Sequence, residues 1–249
     1  MVAFTYWSHF GSFKDPLGIS QTVTFPIPPK TTVGGILGAM IGKKPEEIFG
    51  DLEYFNFQYS VIPLSPIRKK SFAQNYIDDF TKTSGTKLDE MQKFAKQNPK
   101  SKFLEIHQRG FKKGAKPIYR ELLIAPKYLI VIQDFKFKDE LETQLKNHNS
   151  VYPLYMGNSE FSANFEYVDA ISKEVRSSTV DSFTASLDLI DFEEGQHYSS
   201  LKMATKSFNQ REYSDYTHLV VSNKALKLKQ EINALHVKTK FGEFVCECL

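Results

Sequence analysis

The stretch TFPIPPKTTVGGILGAMIG, residues Thr24 to Gly42, places three prolines directly before a short apolar run that contains four glycines. The prolines exclude a helix over their own positions, because each fixes φ and lacks an N–H donor. Thr31 or Thr32 is the predicted N-cap of a helix of roughly two to three turns. Each glycine in the helix interior costs about 1 kcal/mol relative to alanine. Close helix-to-sheet packing would explain them, and so would the close approach of another backbone or a phosphate. The sequence favours packing.

The segments around this helix alternate between strand and helix patterns. Met1–Ser8, Asp51–Ile62 and Arg120–Phe135 are rich in aromatic and β-branched residues and predict strands, the last one interrupted at Pro126. Lys138–His148 carries two leucines four residues apart and predicts an amphipathic helix. The order is compatible with a ferredoxin-like β-α-β-β-α-β unit, which gives an α+β fold class.

The chain is predicted to divide near residue 165. Residues 1–165 form the ferredoxin-like domain, with a basic insertion at about 64–119, and residues 166–249 form a C-terminal, mostly β extension. In that extension Tyr216–Ser222 and Glu243–Leu249 predict strands, whereas KALKLKQEINALHV (Lys224–Val237) predicts one helix.

The positive charge of the chain is concentrated in the insertion. Residues 64–122 hold 14 Lys+Arg against 6 Asp+Glu, while the rest of the chain holds 18 against 23. Cations interleaved with aromatic residues suit single-stranded nucleic acid, which needs phosphate neutralisation and stacking surfaces. The two basic clusters can meet as the legs of a hairpin, although a solvated lysine-rich loop is the alternative. The residues expected to contact RNA here are Arg68, Lys69, Lys70, His107, Arg109, Phe111, Lys112, Lys113, Lys116, Tyr119 and Arg120.

Within this set the cations are assigned to phosphates, and Phe111 and Tyr119 to stacking on or between nucleotides. A catalytic assignment is also open. His107, Lys116 and Tyr119 could supply the base and acid for metal-independent RNA cleavage. Phosphate binding explains the lysine equally well.

Other function classes have no support in the sequence. The first ten residues lack a secretory leader, and the longest apolar run, Val33 to Gly42, is too short to cross a bilayer. We therefore expect a soluble, cytoplasmic protein that does not bind membranes. Cys246 and Cys248 are the only cysteines and are expected to be reduced, and no metal-ligand spacing or nucleotide-binding loop is found. No cofactor is expected.

Two motifs carry a resemblance to a known family. The opening stretch resembles the N-terminal signature of the Cas five (Cas5) subunits of CRISPR type I interference complexes, where prolines and a threonine precede a G-[IL]-[IL]-G-A helix. The segment YPLYMGNSEF, Tyr152 to Phe161, resembles the P-x-Y-[LM]-G-x-S-E-F segment of the same family.

The resemblance implies a modified ferredoxin-like fold of the RRM/RAMP type, with the basic insertion as a long β-hairpin thumb. It implies a Cascade subunit for antiviral defence that grips the 5′ handle of the CRISPR RNA (crRNA) and caps the backbone. The implied partners are the backbone (Cas seven) subunit and the large (Cas eight-type) subunit, with target DNA near the PAM as a further candidate. The motif loop implies either a handle pocket or a docking site for the neighbouring subunit, formed by Tyr155, Met156, Gly157, Asn158 and Ser159.

One branch of the family is itself a handle-generating endoribonuclease with tyrosine, lysine and histidine in its site, the last two adjacent in sequence. The present chain has no Lys-His dipeptide. We therefore expect a non-catalytic binder. The alternatives are a metal-independent endoribonuclease that processes pre-crRNA repeats, and a general RNA-binding or protein-interaction module.

Overall fold

The computed structural model of the chain describes residues 1–16, 22–76, 92–100, 116–208 and 212–249. Contacts divide the chain into two units. The first comprises Met1–Gly18, Val23–Lys70 and Glu121–Leu249, and the second comprises Ile19–Thr22 and Ser71–Arg120. The second unit thus corresponds to most of the part of the chain predicted as a basic insertion, together with the short segment Ile19–Thr22.

Strands predominate over helices in the described residues, in agreement with the predicted mixed class. The α-helices described are α1 (Lys30–Ile41), α2 (Pro45–Gly50), α3 (92–97) and α4 (Lys138–Lys146). The strands described are β1 (Val2–Trp7), β2 (Phe10–Gly11), β3 (Phe13–Lys14), β4 (Thr24–Phe25), β5 (Gln58–Pro63), β6 (Lys69–Tyr76), β7 (Lys116–Ile124), β8 (Lys127–Gln133), β9 (Asn164–Val168), β10 (Ile171–Val180), β11 (Tyr198–Phe208), β12 (Glu212–Ser222), β13 (Leu226–Thr239) and β14 (Gly242–Cys246).

A four-stranded sheet in the order β5-β8-β1-β9 forms the centre of the first unit, and all of its pairs are antiparallel. Phe4 on β1 lies opposite Ile130 on β8 and Tyr167 on β9. The elements β1, α1, β5, β8, α4 and β9 follow one another as β-α-β-β-α-β. The segment between β5 and β8 contains β6 and β7.

Both faces of the central sheet are buried within the first unit. On one face Phe4 and Tyr6 belong to a core cluster that includes Leu37 of α1 and Leu141 of α4. On the other face a second cluster joins strand residues such as Leu129 to residues of β13 and β14. This sandwich arises from the period of two along β1, whose successive side chains point to opposite faces.

The C-terminal extension contains no helix where one was predicted. The segment Lys224–Val237 lies almost entirely in β13, which pairs with β10 and β14. Leu226 and Leu228 are buried while Lys227 and Lys229 are exposed, so the period-two pattern overrides the helix-prone composition. Strands β11 and β12 form a separate hairpin.

Two further boundaries differ from the sequence predictions. Helix α1 begins at Lys30 with Pro29 as its N-cap, because the extended Pro29 carbonyl accepts a hydrogen bond from the Val33 N–H at 2.9 Å. The segment predicted as a strand from Asp51 instead forms a 3-10 helix at Tyr54–Asn56, where Tyr54 is buried, and the strand starts only at β5. In the described part of the chain, no helix combines the length and apolar character needed to cross a membrane.

Candidate nucleic-acid interface

The glycines of α1 serve two different purposes. A Cβ on Gly34 would lie 2.3 Å from the Phe55 ring, and one on Gly38 would lie 2.4 Å from the Ile48 Cδ1. The predicted close packing is therefore confirmed for these two positions, although they pack on the 3-10 helix and α2 rather than on a sheet. A Cβ on Gly35 would meet no atom within 4 Å, and Gly35 is exposed. Its side of the helix is open.

The motif loop at 152–161 is held rigidly above β1. The Tyr6 hydroxyl donates a hydrogen bond to the Tyr155 carbonyl at 2.8 Å, and the Ser12 N–H donates to the Met156 carbonyl at 3.0 Å. The loop closes on itself where the Met156 N–H donates to the Phe161 carbonyl at 2.8 Å. Gly157 turns the chain with φ +88°. These bonds fix Tyr155 at the surface, where 36% of it is exposed.

The two motif stretches meet at one cleft of about 340 Å³. Helix α1 contributes its open side around Gly35, and the motif loop contributes Tyr155 and Gly157. The third wall comes from the β11–β12 hairpin through Ser207 and Tyr213, which lie opposite each other in the ladder. Three stretches more than 30 residues apart in sequence therefore build one concave surface.

A smaller cleft of about 120 Å³ adjoins the first around the N-terminus of α1. Thr31, Thr32 and Tyr213 line both clefts, so the two form one groove. The smaller cleft adds Lys14 of β3 and Lys202 of β11, together with Tyr216 of β12, over whose ring the Lys202 Nζ lies 5.6 Å from the centroid. Among the described residues, Lys14 and Lys202 are the charged side chains that line the two clefts.

Lys30 carries a further positive charge at the start of α1 but does not line the groove. Its Nζ is buried, donates to the Leu249 carbonyl at 3.1 Å and lies 5.3 Å from the centroid of the Phe57 ring. Burial, together with the smaller effect of the nearby Lys206 charge, lowers the pKa of the Lys30 ammonium to about 8. Because the side chain is buried and lies outside both clefts, Lys30 stabilises the packing around α1 and does not offer its charge to a ligand in the groove.

At the base of the predicted thumb the two legs are neighbours, in the sheet β2-β7-β6. The Ile124 N–H donates to the Arg68 carbonyl at 2.9 Å. The Lys69 Nζ donates to the Thr24 carbonyl at 2.5 Å and pairs with the Glu121 carboxylate at 3.3 Å. Much of the Lys69 charge is therefore engaged within the protein rather than presented to a phosphate.

The other thumb residues are described unevenly. Tyr119 is 54% exposed, and its carbonyl accepts a hydrogen bond from the Thr22 N–H at 3.2 Å. Lys70 is exposed and Arg120 half-buried, and both have contacts with other residues. Lys116 opens β7. The remaining predicted RNA contacts lie outside the described residues: His107, Arg109, Phe111, Lys112 and Lys113.

One predicted contact of the motif loop is wrong. The Met156 side chain is fully buried in the main core, where a Cβ on Gly11 would lie 2.4 Å from its Cγ. Met156 therefore anchors the loop and does not face a ligand. Alternation along the extended loop explains this, since Leu154 and Met156 point inward while Tyr155 points outward. Asn158 and Ser159 lie at the tip of the loop and do not line the groove.

The comparisons with known proteins agree with the two motifs. A family model described as "CRISPR-associated protein (Cas_Cas5)" matches residues 1–219. The chain belongs to the Cas5 family. No curated protein matches the sequence of this Cas5 chain.

Solved structures similar to this Cas5 chain have low sequence identity. One is titled "CRISPR RNA-guided surveillance complex", with 12% identity, a TM-score of 0.50, and coverage of 94% of this chain and 91% of that chain. Another is titled "Crystal Structure of CRISPR-associated Protein", with 10% identity, a TM-score of 0.46, and coverage of 91% and 90%. A third is titled "Cryo-EM structure of the Type III-B Cmr-beta bound to cognate target RNA and AMPPnP, state 1", with 11% identity, a TM-score of 0.43, and coverage of 90% and 86%. The first likeness shows the fold of the Cas5 chain.

Sequence reasoning missed the hairpin side of this Cas5 groove. Lys202, Ser207, Tyr213 and Tyr216 belong to no recognised motif, and their spacing alone gives no indication of a site. Among the described residues, no cluster of His, Cys, Asp and Glu could hold a metal ion. Both cysteines are free thiols, with Cys246 buried in the core.

Proposed function

We propose that this Cas5-family chain is a non-catalytic subunit of a CRISPR type I interference (Cascade) complex that binds the 5′ handle of the crRNA. In this proposal it caps the backbone of the complex and contributes to antiviral defence. The observation that carries the proposal is the cleft in which the α1 stretch and the motif loop meet. The family assignment to residues 1–219 supplies the CRISPR setting.

In this proposal the first unit is a ferredoxin-like, RAMP-type domain, and β6 and β7 are the legs of the thumb. The support is the β-α-β-β-α-β order and the antiparallel strand order β5-β8-β1-β9. The strands after β9 belong to the C-terminal β extension, and two of them, β13 and β14, cover the second face of the sheet.

The buried sheet determines where RNA can bind. Proteins of the RRM type stack bases on an open sheet face. Here both faces of the central sheet are packed, the second one by β13 and β14. RNA bases therefore cannot stack on the central sheet of the first unit. The groove beside α1 takes its place, because Gly35 lets a phosphate or ribose approach the helix backbone and Tyr155 offers a ring to a base.

The partners in this proposal are the crRNA and two protein subunits. The thumb lies over the guide next to the backbone (Cas seven) subunit, and the large (Cas eight-type) subunit lies alongside, near the PAM. Support comes from the family assignment and from a structural neighbour whose title names an RNA-guided surveillance complex. The loop tip, where Asn158 is half-buried and Ser159 exposed, does not line the groove and is assigned to contact with a neighbouring subunit.

The absence of catalysis is part of the same proposal. The chain lacks the Lys-His dipeptide of the nuclease branch. Cleavage of RNA without a metal needs a base and an acid placed on either side of one phosphate. In the part of the chain that the structure describes, the polar side chains lining the groove are those of lysines, tyrosines, threonines and a serine, and none is a histidine or a carboxylate. This set suits binding better than proton transfer near neutral pH.

The test pairs filter binding of labelled cognate repeat RNA with a denaturing gel of the same RNA, both in EDTA. We expect intact, bound RNA. Tyr155→Leu removes a ring that lines the cleft, and we expect about tenfold weaker binding. Tyr152→Leu is the matched control, because Tyr152 is 40% exposed in the same loop but does not line the groove.

Each contrary outcome points to one alternative. A discrete cut that disappears in Tyr119→Phe or His107→Ala would identify a processing endoribonuclease. Failure of the wild-type chain to bind the repeat at low salt would reject RNA binding altogether. Equal losses in Tyr155→Leu and Tyr152→Leu would move the site away from the cleft.

A further inference from the structure

The β12 strand presents two tyrosines to the same groove against the ordinary alternation of a strand. Tyr213 and Tyr216 are three residues apart, so a regular strand would point them to opposite faces. Both line the groove, and Asp215 between them has φ +53°, a left-handed conformation that breaks the alternation. Backbone strain of this kind is kept where the surrounding structure requires it, often at binding sites.

The residues across the hairpin from the two rings are small. Tyr213 lies opposite Ser207, and Tyr216 lies opposite Ala204. Each ring is 49% exposed. Two half-exposed aromatic rings above small partners leave room for a flat group to lie against them. A nucleobase is such a group, and stacking on tyrosine tolerates any base.

Positive groups line the groove near the two rings. Lys14 and Lys202 line the smaller cleft, and Thr31 and Thr32 sit in the first turn of α1. The helix has no side-chain N-cap and no acidic residue in that turn. The N–H groups of its first three residues have no intrahelical acceptor and point out of the N-terminus, where an anion is stabilised.

A buried hydroxyl supplies an independent indication of a ligand. Ser207 is 2% exposed and lines the larger cleft, and its Oγ has no hydrogen-bond partner among the described residues. A buried hydroxyl without a partner costs free energy, so such a group in a native site calls for an explanation. A ligand that fills the cleft and offers a donor or acceptor would satisfy it.

We propose that the hairpin side of this groove is a one-nucleotide subsite for the single-stranded guide RNA, built by the β11–β12 hairpin together with the N-terminus of α1. The phosphate lies between Lys14, Lys202 and the α1 N-terminus, and the base lies against Tyr213 and Tyr216. The Ser207 hydroxyl bonds to a polar group of the same nucleotide. The inference rests on the proposed function and extends it, because it gives the last third of the chain a direct part in holding RNA.

Filter binding across a salt series tests the phosphate half of the subsite. We expect the double variant Lys14→Ala, Lys202→Ala to bind the repeat RNA about tenfold more weakly than the wild type. The slope of log affinity against log salt should shrink by about 0.7 for each phosphate that is no longer neutralised. Lys173→Ala is the control, because Lys173 is equally exposed but lies on β10 outside the groove.

Photocrosslinking tests the base half. With 4-thiouridine in the repeat RNA, we expect crosslinks to the peptide that carries Tyr213 and Tyr216. The double variant Tyr213→Leu, Tyr216→Leu should lose them and bind about tenfold more weakly. Tyr213→Phe with Tyr216→Phe keeps the rings and should restore binding, which a merely structural loss would not explain.

The outcomes separate this inference from the function on which it rests. Suppose that the wild type binds RNA, that the lysine variant binds with the same affinity and salt slope, and that crosslinks fall only on other peptides. This result would overturn the subsite and leave the handle-binding proposal intact. No wild-type binding at low salt would overturn both. Folding of every variant is checked by thermal unfolding, since exposed positions should leave the midpoint unchanged.

Discussion

Gly157 approaches Ser12 so closely that a Cβ at position 157 would lie 2.0 Å from the Ser12 carbonyl oxygen. The same glycine has φ +88°, a conformation that L-residues with a side chain rarely adopt. The contact clamps the motif loop onto the strand region that follows β1. It is the point where the loop that carries Tyr155 is fixed to the body of the first unit.

Replacement of this glycine should loosen the loop. We expect Gly157→Ala to lower the free energy of unfolding by about 2–3 kcal/mol, because the methyl group meets backbone rather than a flexible side chain. Gly195→Ala is the control, because Gly195 has φ +77° but no atom lies within 4 Å of its Cβ position. An alanine there has the conformational strain without a steric clash, so we expect a loss of about 1 kcal/mol. Urea unfolding of both variants gives the comparison. Equal losses would mean that the contact with Ser12 is unimportant.

The glycines of α1 should respond in opposite directions. Gly34→Ala drives a methyl group into the Phe55 ring, and we expect a loss of about 1–3 kcal/mol from overpacking. Gly35→Ala enters open space and gains helix propensity, so we expect it to be stabilised by about 0.5–1 kcal/mol. Thermal unfolding midpoints decide the signs. A destabilised Gly35→Ala would contradict the open side of the helix.

The buried Lys30 predicts a pH dependence of stability. Its pKa in the folded state is about 8, below the usual 10.5, so between these values the unfolded chain binds more protons and stability rises with pH. From pH 8 to 9.5 we expect the wild type to gain about 1.5 kcal/mol relative to Lys30→Met. The pH series stops at 9.5 because of three buried tyrosines. Burial raises the pKa of Tyr6, Tyr59 and Tyr128 in the folded protein, so at higher pH they ionise first in the unfolded chain and the free energy of unfolding falls. If the free energy of unfolding depends on pH in the same way for the wild type and Lys30→Met, Lys30 does not titrate in this range.

Asp215 tests the bend that brings the two tyrosines together. Glycine adopts φ +53° without strain, so Asp215→Gly should keep RNA affinity, with the loss of its 3.2 Å ion pair to Lys206 costing under about 1 kcal/mol. A β-branched residue opposes that conformation, so Asp215→Ile should lower stability by about 2 kcal/mol and weaken RNA binding. Filter binding and urea unfolding are measured together. Full affinity in Asp215→Ile would show that the bend is irrelevant to the groove.

The base of the thumb offers a contrast between neighbours. Lys69 is engaged by the Thr24 carbonyl and Glu121, so Lys69→Ala should lower stability by up to about 1 kcal/mol and leave the salt slope of RNA binding nearly unchanged. Arg68 is exposed beside it, and Arg68→Ala should reduce the slope by about 0.7 if it contacts one phosphate. A reduced salt slope in Lys69→Ala and an unchanged slope in Arg68→Ala would mean that RNA displaces Lys69 from Glu121.

Much of the fold could be predicted from local patterns. The alternating residues of Met1–Ser8 and Arg120–Phe135, the break at Pro126 and the leucine spacing of α4 all predicted elements that the structure contains. The failures occurred where local preference and packing disagreed. Lys224–Val237 has a helix-prone composition, yet its alternate leucines are buried in the C-terminal sheets.

The candidate site divides in the same way. Glycines and prolines around α1 and the motif loop stand out in the sequence because their backbone requirements are unusual, and both stretches line the cleft. Met156 shows the limit of that reasoning, because which side of a loop faces the core depends on where its anchors lie in space.

The family, the composition of the basic segment and the two stretches with special backbone geometry follow from residue identity and local sterics, and they could therefore be read from the amino acids alone. The closure of both sheet faces and the place of the β11–β12 hairpin as the third wall of the groove became visible only in the folded chain. The reason is physical: concave surfaces are made by chain segments distant in sequence, and their meeting depends on how the whole core packs.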